Sequence, residues 1–541
     1  SPATAQGIFT EAERDLLTAQ GIELASGGKQ KIFEEQFLIY RGLTRPSKGL
    51  WLTYAANDAE GRELSPSSLI ERLQRLDEGL QIEPMPAFDL EETAPAAVFH
   101  LLGGEMRKAT AKTPLSPLWQ DIYGFFDENS QWQKRLSLLK QGIGKTAKPE
   151  RLSPKTAKAL YGKNIFSSVS RLERFAGCPF SFFAEYGLKA EERRLYQLNT
   201  PDLGSLFHEV LELFSNKLEQ DNLPWTSLTK EETTARIHAA VEDAAPRLGN
   251  RILLDSAANQ YLIRRLKRIS TRAAWTLVQH LQQGDFVPAG YEVGFGAHEA
   301  LPPIVIRLQD GGSLILNGKI DRVDLLDANG TRYVKIIDYK SGNKTFHFQD
   351  IYYGLQLQLL VYLDAYLKYY KKTGASFKPG GVFYFRITDP TLALDEELSA
   401  EAIEKILYEK MRMSGLLLQE DVLIHGLDHS LAKSRSSAIV PVGYTKKGDP
   451  TAASNLATEE QYATILDFVA TRTQEIGDAM KAGIITPAPY RDGQRTPCSY
   501  CSYRSLCRHS YGEAPRWRKL KKIDKADFWE SITPKQPPET E

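Results

Sequence analysis

Two aspartates and a lysine flank a tight turn in a pattern that can do metal-assisted chemistry. Leu314 to Leu326 and Arg332 to Lys340 alternate as strands do, and Asp327-Ala328-Asn329-Gly330 between them carries the Asn-Gly pair of a two-residue hairpin. With the turn centred on Asn329-Gly330, opposed residues have numbers summing to 659, so Asp321 faces Asp338. Period-two geometry puts Lys340 on the face of Asp338, while Lys319, opposed to Lys340, competes for the lysine's role. Directly opposed residues bring their Cβ atoms to roughly 4.5 to 5.5 Å. Carboxylates that close either raise a pKa or share a cation. A divalent metal resolves the repulsion most simply. Magnesium takes oxygen ligands and keeps waters, and a nearby lysine can orient or help deprotonate one of them for attack on phosphorus. The alternative is two solvated aspartates on an exposed sheet face.

Two further sets of residues offer ligands. Leu203, Leu206, Phe207, Val210, Leu211 and Phe214 mark a helix packed into a core, with His208 at the edge of the apolar stripe and Gly204 one turn earlier, where close approach of another backbone is allowed. His208 is either a structural histidine or a ligand. The four cysteines of the chain form a second set: Cys498 and Cys501 are two residues apart, Cys507 lies five further on, and Cys178 stands more than three hundred residues earlier. Four are too few for a disulfide scaffold of this size. Structural zinc sites favour two local pairs, so one distant thiolate plus a C-terminal trio favours a [4Fe-4S] cluster, with zinc and buried free cysteines as the alternatives.

The chain that must position these groups has 541 residues at 60.8 kDa, is 42% hydrophobic, and balances 68 Lys and Arg against 68 Asp and Glu. That length suits roughly three or four domains. Zero formal net charge excludes global polycation behaviour but not a local basic channel for nucleic acid. No stretch approaches the ~18 uninterrupted apolar residues of a membrane span, and Ser1 to Thr10 lack the basic start and apolar core of a secretory signal. A cytoplasmic location is expected.

From Phe9 to about Gly144, short apolar runs such as Leu50 to Tyr54 mix with amphipathic stretches such as Pro66 to Leu80, the pattern of part of an α/β domain. The Lys145 to Lys155 loop is the expected boundary. Beyond it come an aromatic-rich segment from Phe166 to Ala190, helices at Leu203 to Leu218 and Gln260 to Gln283, and strands between Val287 and Tyr339. Helices at about Leu355 to Tyr370, Ala400 to Met413 and Glu459 to Ala482, with a strand at Gly381 to Phe385, complete the pattern. The expected domains are 1–155, 156–515 and a tail, 516–541, mobile at its end. Gly142-Ile143-Gly144-Lys145-Thr146 imitates the end of a phosphate-binding loop but is discarded, because position 139 is Leu where that motif needs glycine and no apolar strand precedes it.

Gly204-Ser205-Leu206-Phe207-His208, Gly318-Lys319-Ile320-Asp321-Arg322, Ile337-Asp338-Tyr339-Lys340 and Gln358-Leu359-Leu360-Val361-Tyr362 resemble, in order, the motifs of RecB-type nucleases of the PD-(D/E)xK superfamily. Ile320 stands where the superfamily name has proline, a substitution ordinary among RecB-type members. The resemblance implies a restriction-endonuclease-like α/β fold in which His208, Asp321, Asp338 and the Tyr339 carbonyl ligate magnesium and Lys340 serves the attacking water. Gln358 and Tyr362, four apart on one helix face, would contact DNA or position the lysine, with Gln356 the alternative glutamine.

Cys178-Pro179-Phe180 with the C-terminal trio resembles the iron-sulfur nucleases, in particular the AddB-type subunits of bacterial helicase-nucleases, over about Phe166 to Tyr511. Tyr40-Arg41-Gly42-Leu43-Thr44-Arg45 with Leu50-Trp51-Leu52-Thr53-Tyr54 resembles the last motif of superfamily 1 helicases, where an arginine, here Arg45, reaches the nucleotide phosphates; Pro46 departs from that motif, and a surface arginine is the alternative. With neither a phosphate-binding loop nor an initiating methionine in the sequence, a first motor domain is expected to be missing on the N-terminal side. The implied activity is an exonuclease-type deoxyribonuclease acting on single-stranded DNA at double-strand breaks and cutting the strand that ends 5′ at the break. Its implied partners are DNA ends and an AddA-like helicase-nuclease subunit in a heterodimer, with no helicase or ATPase activity in this chain alone. A non-catalytic DNA-gripping scaffold and a free-standing RecB-type iron-sulfur nuclease are the rival readings.

Overall fold

The computed structural model describes residues 9–22, 24, 28–56, 63–77, 79–83, 93–109, 113–143, 151–191, 200–247, 257–392, 398–507 and 517–534. Backbone packing divides the chain into two compact units, Ser1–Lys145 and Thr146–Glu541.

In the first unit the described elements are helices: Glu11–Ala19, Gly28–Thr44, Ser68–Leu76, Pro95–Lys108, Pro117–Glu128 and Ser130–Ile143. The last three enclose a small core of Val98, Leu102, Phe126 and Leu136. Leu50–Tyr54 is exposed and forms no strand, which differs from the mixed α/β pattern expected here. A short apolar run becomes a strand only where a neighbour accepts its backbone hydrogen bonds, and no described residue of this unit does so for it. Gly142 and Ile143 end the Ser130–Ile143 helix; the rest of the phosphate-loop imitation and residues 145–150 of the expected boundary lie outside the described residues.

The second unit is built on a six-stranded sheet whose strands run, across it, Val287–Phe295, Gly318–Ala328, Thr331–Lys340, Phe377–Arg386, Ser414–Leu418 and Leu456–Ala457. Asn329 and Gly330 both take positive φ, 52° and 75°, as a two-residue turn requires, and the pairing runs from Ala328↔Thr331 to Arg322↔Ile337 in the 659 register. Thr331–Lys340 and Phe377–Arg386 pair in parallel, so the chain must cross over between them, and the helix Gln358–Lys372 makes that crossing.

The two faces of the sheet are covered differently. Arg322, Asp324 and Lys335 form a buried ion cluster on one face, where Arg322 lies over the Trp225 ring and His280 of the Ala257–Gln282 helix meets Phe385 edge-on. Asp321 and Asp338 point to the other, where the Gln358–Lys372 helix sits. The helix Thr200–Gln220 packs through Leu206, Phe207, Val210, Leu211 and Phe214, all buried, as its sequence pattern requires. A smaller sheet orders Asn164–Ser167, Ser313–Leu316 and Ile304–Arg307.

Residues 517–534 differ from the tail expected after residue 515. The helix Lys525–Ile532 docks through Phe528, which is fully buried with its ring centroid 5.0 Å from Phe348 and 6.1 Å from Phe468. An amphipathic turn carrying Phe528 and Trp529 buries enough apolar area to hold a chain end down. Residues 535–541 lie outside the described residues.

Candidate active site

The register of the hairpin sets the site. At its open end, one residue beyond the last pair Arg322↔Ile337, Asp321 and Asp338 come together, 9% and 3% exposed. The Tyr339 N–H donates to Asp321 Oδ2 at 2.5 Å, and His208 Nδ1 lies 3.4 Å from the same oxygen. Lys340 Nζ pairs with Asp338 Oδ2 at 2.5 Å. Gln358 ties the set together, donating from Nε2 to Asp338 Oδ1 at 2.7 Å and accepting from Lys340 at 3.4 Å. His208, the paired aspartates, Tyr339, Lys340 and Gln358 therefore converge.

Tyr362 takes a supporting place. Its buried ring stacks on Phe295, and its hydroxyl lies so near Gly318 that a Cβ there would come within 2.2 Å of it. It holds the start of the hairpin strand, and glycine is the residue that leaves room. Gln356 is not in the site: its Oε1 accepts from His347 N at 2.8 Å and its Nε2 donates to Thr345 O at 2.7 Å, closing a loop. Lys319 is half exposed and lies 3.9 Å from Glu292, so Lys340 alone of the two lysines reaches an aspartate of the pair. Gly204 admits the loop after Lys340, where a Cβ would stand 3.1 Å from Ser341 Oγ.

Sequence reasoning missed two residues. Glu292 lies level with Asp321 on the adjoining strand, between the pairs Tyr291↔Arg322 and Val293↔Ile320. His208, Glu292 and Asp321 place ligand atoms within 4.8 Å of one another. Glu292 has φ of 47°, a conformation costly for any residue but glycine and common at functional sites, so strand alternation could not reveal where it points.

Glu173, on the helix Val169–Gly177, is the second. The Gln358–Lys372 helix begins without a side-chain cap of its own, and Glu173 Oε1 supplies one by accepting from Leu357 N at 2.8 Å and Gln358 N at 3.1 Å. Its Oε2 accepts from Lys344 at 3.2 Å. Glu173 thus fixes the backbone that aims Gln358 at Asp338 and Lys340. Glu173→Ala is expected to slow any metal-dependent reaction of this site by roughly 10- to 100-fold, as loss of outer-shell support typically does, with Glu173→Gln recovering part of the rate. Rates across a magnesium titration check this; an Ala variant at the parental rate removes the positioning role.

The electrostatics suit a divalent cation. Burial, with the charge of Asp321, pushes the Asp338 carboxyl up to about 7. Burial, with Asp321 and Glu212, brings Glu292 to about 7 as well. Burial opposes a charged His208, but the bond and charge of Asp321 outweigh it and raise its pKa. Burial also opposes a charged Lys340, and Asp338 again outweighs it. Lys340 is thus held as a cation, a donor rather than a base. Beside these groups a cleft of ≈ 670 Å³, lined by Gly204, His208, Glu212, Glu292 and Ser341, opens to solvent. Crowded oxygen ligands with one imidazole match the preferences of magnesium or manganese.

The four cysteines are free of disulfides. Cys178 caps the end of the Val169–Gly177 helix, Cys498 lies in the turn Pro497–Tyr500, and Cys507 ends the helix Arg504–Cys507. Burial raises the pKa of both Cys178 and Cys498, and the Cys498 thiol feels Cys178, Cys501 and Cys507, so the tertiary structure gathers the distant thiol with the trio. Arg518 clamps this corner, donating to the carbonyls of Ala176 and Gly177. Four neighbouring thiols are the donors that a four-thiolate group would need. Arg45 lies in the first unit, exposed just beyond the Gly28–Thr44 helix. Among the described residues, no helix is long and apolar enough to cross a membrane.

Residues 167–508, which carry all of these site groups except Arg45 and Arg518, match the PD-(D/E)XK nuclease superfamily, and residues 93–142 match the fifth domain of the ATP-dependent helicase/deoxyribonuclease AddB. The chain is 38% identical over 534 residues to an ATP-dependent helicase/deoxyribonuclease subunit of Alkaliphilus oremlandii, covering 97% of this chain and 46% of that protein. It is 39% identical over 508 residues to the corresponding subunit of Alkaliphilus metalliredigens, covering 93% and 44%, and 35% identical over 535 residues to that of a Thermoanaerobacter species, covering 97% and 46%. The chain spans about half the length of the curated relatives it matches.

Proposed function

The chain belongs to the PD-(D/E)XK nuclease superfamily, and from that membership we propose that it is a magnesium-dependent DNA nuclease subunit of a helicase-nuclease complex that processes double-strand breaks, cutting the single strand ending 5′ at the break. The observation that carries this reading is the convergence of His208, Glu292, Asp321, Asp338 and Lys340 at one cleft. A magnesium ion held by Asp321, Asp338, His208 and the Tyr339 carbonyl, with Glu292 in the same set, would supply Lewis acidity toward the scissile phosphate and a bound water of lowered pKa. Lys340, kept cationic, donates to the attacking water and offsets phosphate charge. Gln358 keeps Lys340 and Asp338 in register, and Tyr362 supports the strand beneath them.

The rest of the reading has separate supports. The four cysteines would hold a [4Fe-4S] cluster as a cross-link, with zinc as the other occupant they suit. The first unit would be part of a helicase-like domain, with Arg45 turned to a nucleotide completed elsewhere. That the relatives are named as subunits of a helicase/deoxyribonuclease supports a partner, an AddA-like chain carrying the main motor, and a cytoplasmic complex that feeds single strands to this site.

The test is cleavage of end-labelled single-stranded DNA by this chain with and without magnesium, where metal-dependent products shortened from the 5′ end are expected. No metal-dependent cleavage at all would remove the reading.

The raised carboxyls give a signed dependence on pH. Below about pH 7 Asp338 and Glu292 hold protons that a cation must displace, so magnesium affinity and cleavage rate should rise between about pH 6 and pH 8. Because their folded pKa values exceed the unfolded ones, the metal-free protein binds more protons folded than unfolded in this window and loses stability as pH rises toward 7. Magnesium should relieve that loss, so its gain in melting temperature should be larger at about pH 8 than at about pH 6. Equal gains at both would contradict the assignment.

A further inference from the structure

One face of the helix Ala257–Gln282 carries Arg264, Lys267, Arg268, Arg272 and Trp275 at helical spacing, while Leu266, Ile269, Ala273, Ala274 and Leu277 bury the other. With Lys230, these groups line a cleft of ≈ 390 Å³ that shares no lining residue with the cleft at the aspartates. Three acids partly neutralise it. Lys230 lies 3.5 Å from Glu404 and Lys267 lies 2.5 Å from Glu242. Arg268 and Arg272 share the single carboxylate of Asp389, at 2.8 and 3.0 Å. Arg264 has no ion-pair partner among the described residues. Among the described residues the cleft therefore keeps net positive charge, and partly exposed pairs of this kind can exchange for phosphates.

Asp389 also places the cleft with respect to the nuclease site. It lies just past the strand Phe377–Arg386, and Ile387 N, two residues before it, donates to the Lys340 carbonyl at 2.9 Å. The basic face, on the side of the sheet opposite the aspartates, thus reaches the end of the sheet at which Lys340 leaves its strand. Trp275, partly exposed, adds a ring on which a base can stack, and a basic groove with an aromatic platform is the common design for gripping single strands without regard to sequence.

We propose that this cleft is a second binding site for single-stranded DNA, holding the strand beside the point of cleavage; it rests on the reading of the chain as a DNA nuclease. Phosphates replace Asp389 on Arg268 and Arg272 and Glu242 on Lys267, and also contact Arg264, while a base stacks on Trp275. An oligonucleotide too short to span both clefts occupies the cutting site alone.

The experiment compares the parent chain with Arg264→Ala/Lys267→Ala/Arg268→Ala and with single Arg264→Glu, which disturbs no described ion pair. Binding of labelled oligothymidylates, one short and one long, is read by fluorescence anisotropy without divalent metal over a range of salt. The triple variant should bind the long oligomer about tenfold more weakly, with its salt slope reduced by about 2, while the short oligomer binds as before. Arg264→Glu should shift the long oligomer in the same direction, which keeps the test alive if the triple variant does not fold. Unchanged affinity and slope in folded variants, or equal losses on both oligomers, would overturn the proposal. A folded variant that loses binding to an acidic protein surface but not to DNA would do the same. Magnesium-dependent cleavage of the short oligomer by the parent, measured alongside, separates failure of this proposal from failure of the nuclease reading.

Discussion

Asp338→Ala should abolish magnesium-dependent DNA cleavage while leaving DNA binding intact. The carboxylate lies 3% exposed opposite Asp321, accepts from Gln358 and pairs with Lys340, so its removal deletes a metal ligand and releases the two groups aimed at it. A metal centre is worth several kcal/mol of transition-state stabilisation, and a loss of about 4 kcal/mol is roughly a thousandfold in rate. Binding should survive because the change subtracts negative charge and leaves every phosphate-facing cation in place. Asp338→Asn, which keeps an acceptor for Gln358, should be equally inactive and folded, separating loss of metal from loss of structure. Lys340→Ala should also be inactive but should still take up the cation. The measurement is single-turnover cleavage, with the nuclease of any companion chain disabled. An Asp338 variant cutting at the parental rate would falsify the assignment, and it would favour a scaffold that grips DNA without cutting it.

Cys501→Ala should release the group bound at the cysteines, bleach any iron-sulfur absorbance and lower the melting temperature of the second unit. Joining Cys178 to the C-terminal trio closes a loop of more than three hundred residues. In the chain-entropy expression such a closure is worth about 5 to 6 kcal/mol, subject to strain. The thiols of Cys178 and Cys498 are pushed up by burial, so loading must expel protons, and occupancy should fall as the pH is lowered.

The effect should reach the active site, because Cys178 caps the helix that carries Glu173, and Glu173 caps the helix that carries Gln358. Cleavage should therefore fall even at saturating magnesium. Iron and zinc analysis, visible absorbance and thermal melts decide the matter. A colourless protein with stoichiometric zinc would reject the cluster, and an unchanged melting temperature in the Cys501 variant would reject the clamp.

How much of this was legible beforehand follows the range of the interactions. The Asn329-Gly330 turn is a local signal, and once two residues with positive φ close the hairpin, every opposed pair follows by arithmetic; Asp321 facing Asp338 needed nothing else. The Thr200–Gln220 helix was equally plain, because an apolar stripe at helical spacing has one way to be buried. Two segments were less legible. Leu50–Tyr54 found no strand to pair with among the described residues, and the segment after residue 516 docks through Phe528, since both outcomes depend on whether a distant surface is there to receive them.

The same limit hid the rest of the site. Glu292 enters through an unusual backbone angle that no alternation pattern encodes, and Glu173 joins Leu357 and Gln358 from 184 and 185 residues away. Lys340 and Gln358, the residues the motifs pointed to, are the ones that reach Asp338, while Lys319 and Gln356 find partners elsewhere. The sequence alone determined the residue types, their order and the hairpin register, because those are set within a few residues along the chain. Only the tertiary structure decided which charged groups share a desolvated space, because burial and contact at a distance are properties of the packed whole.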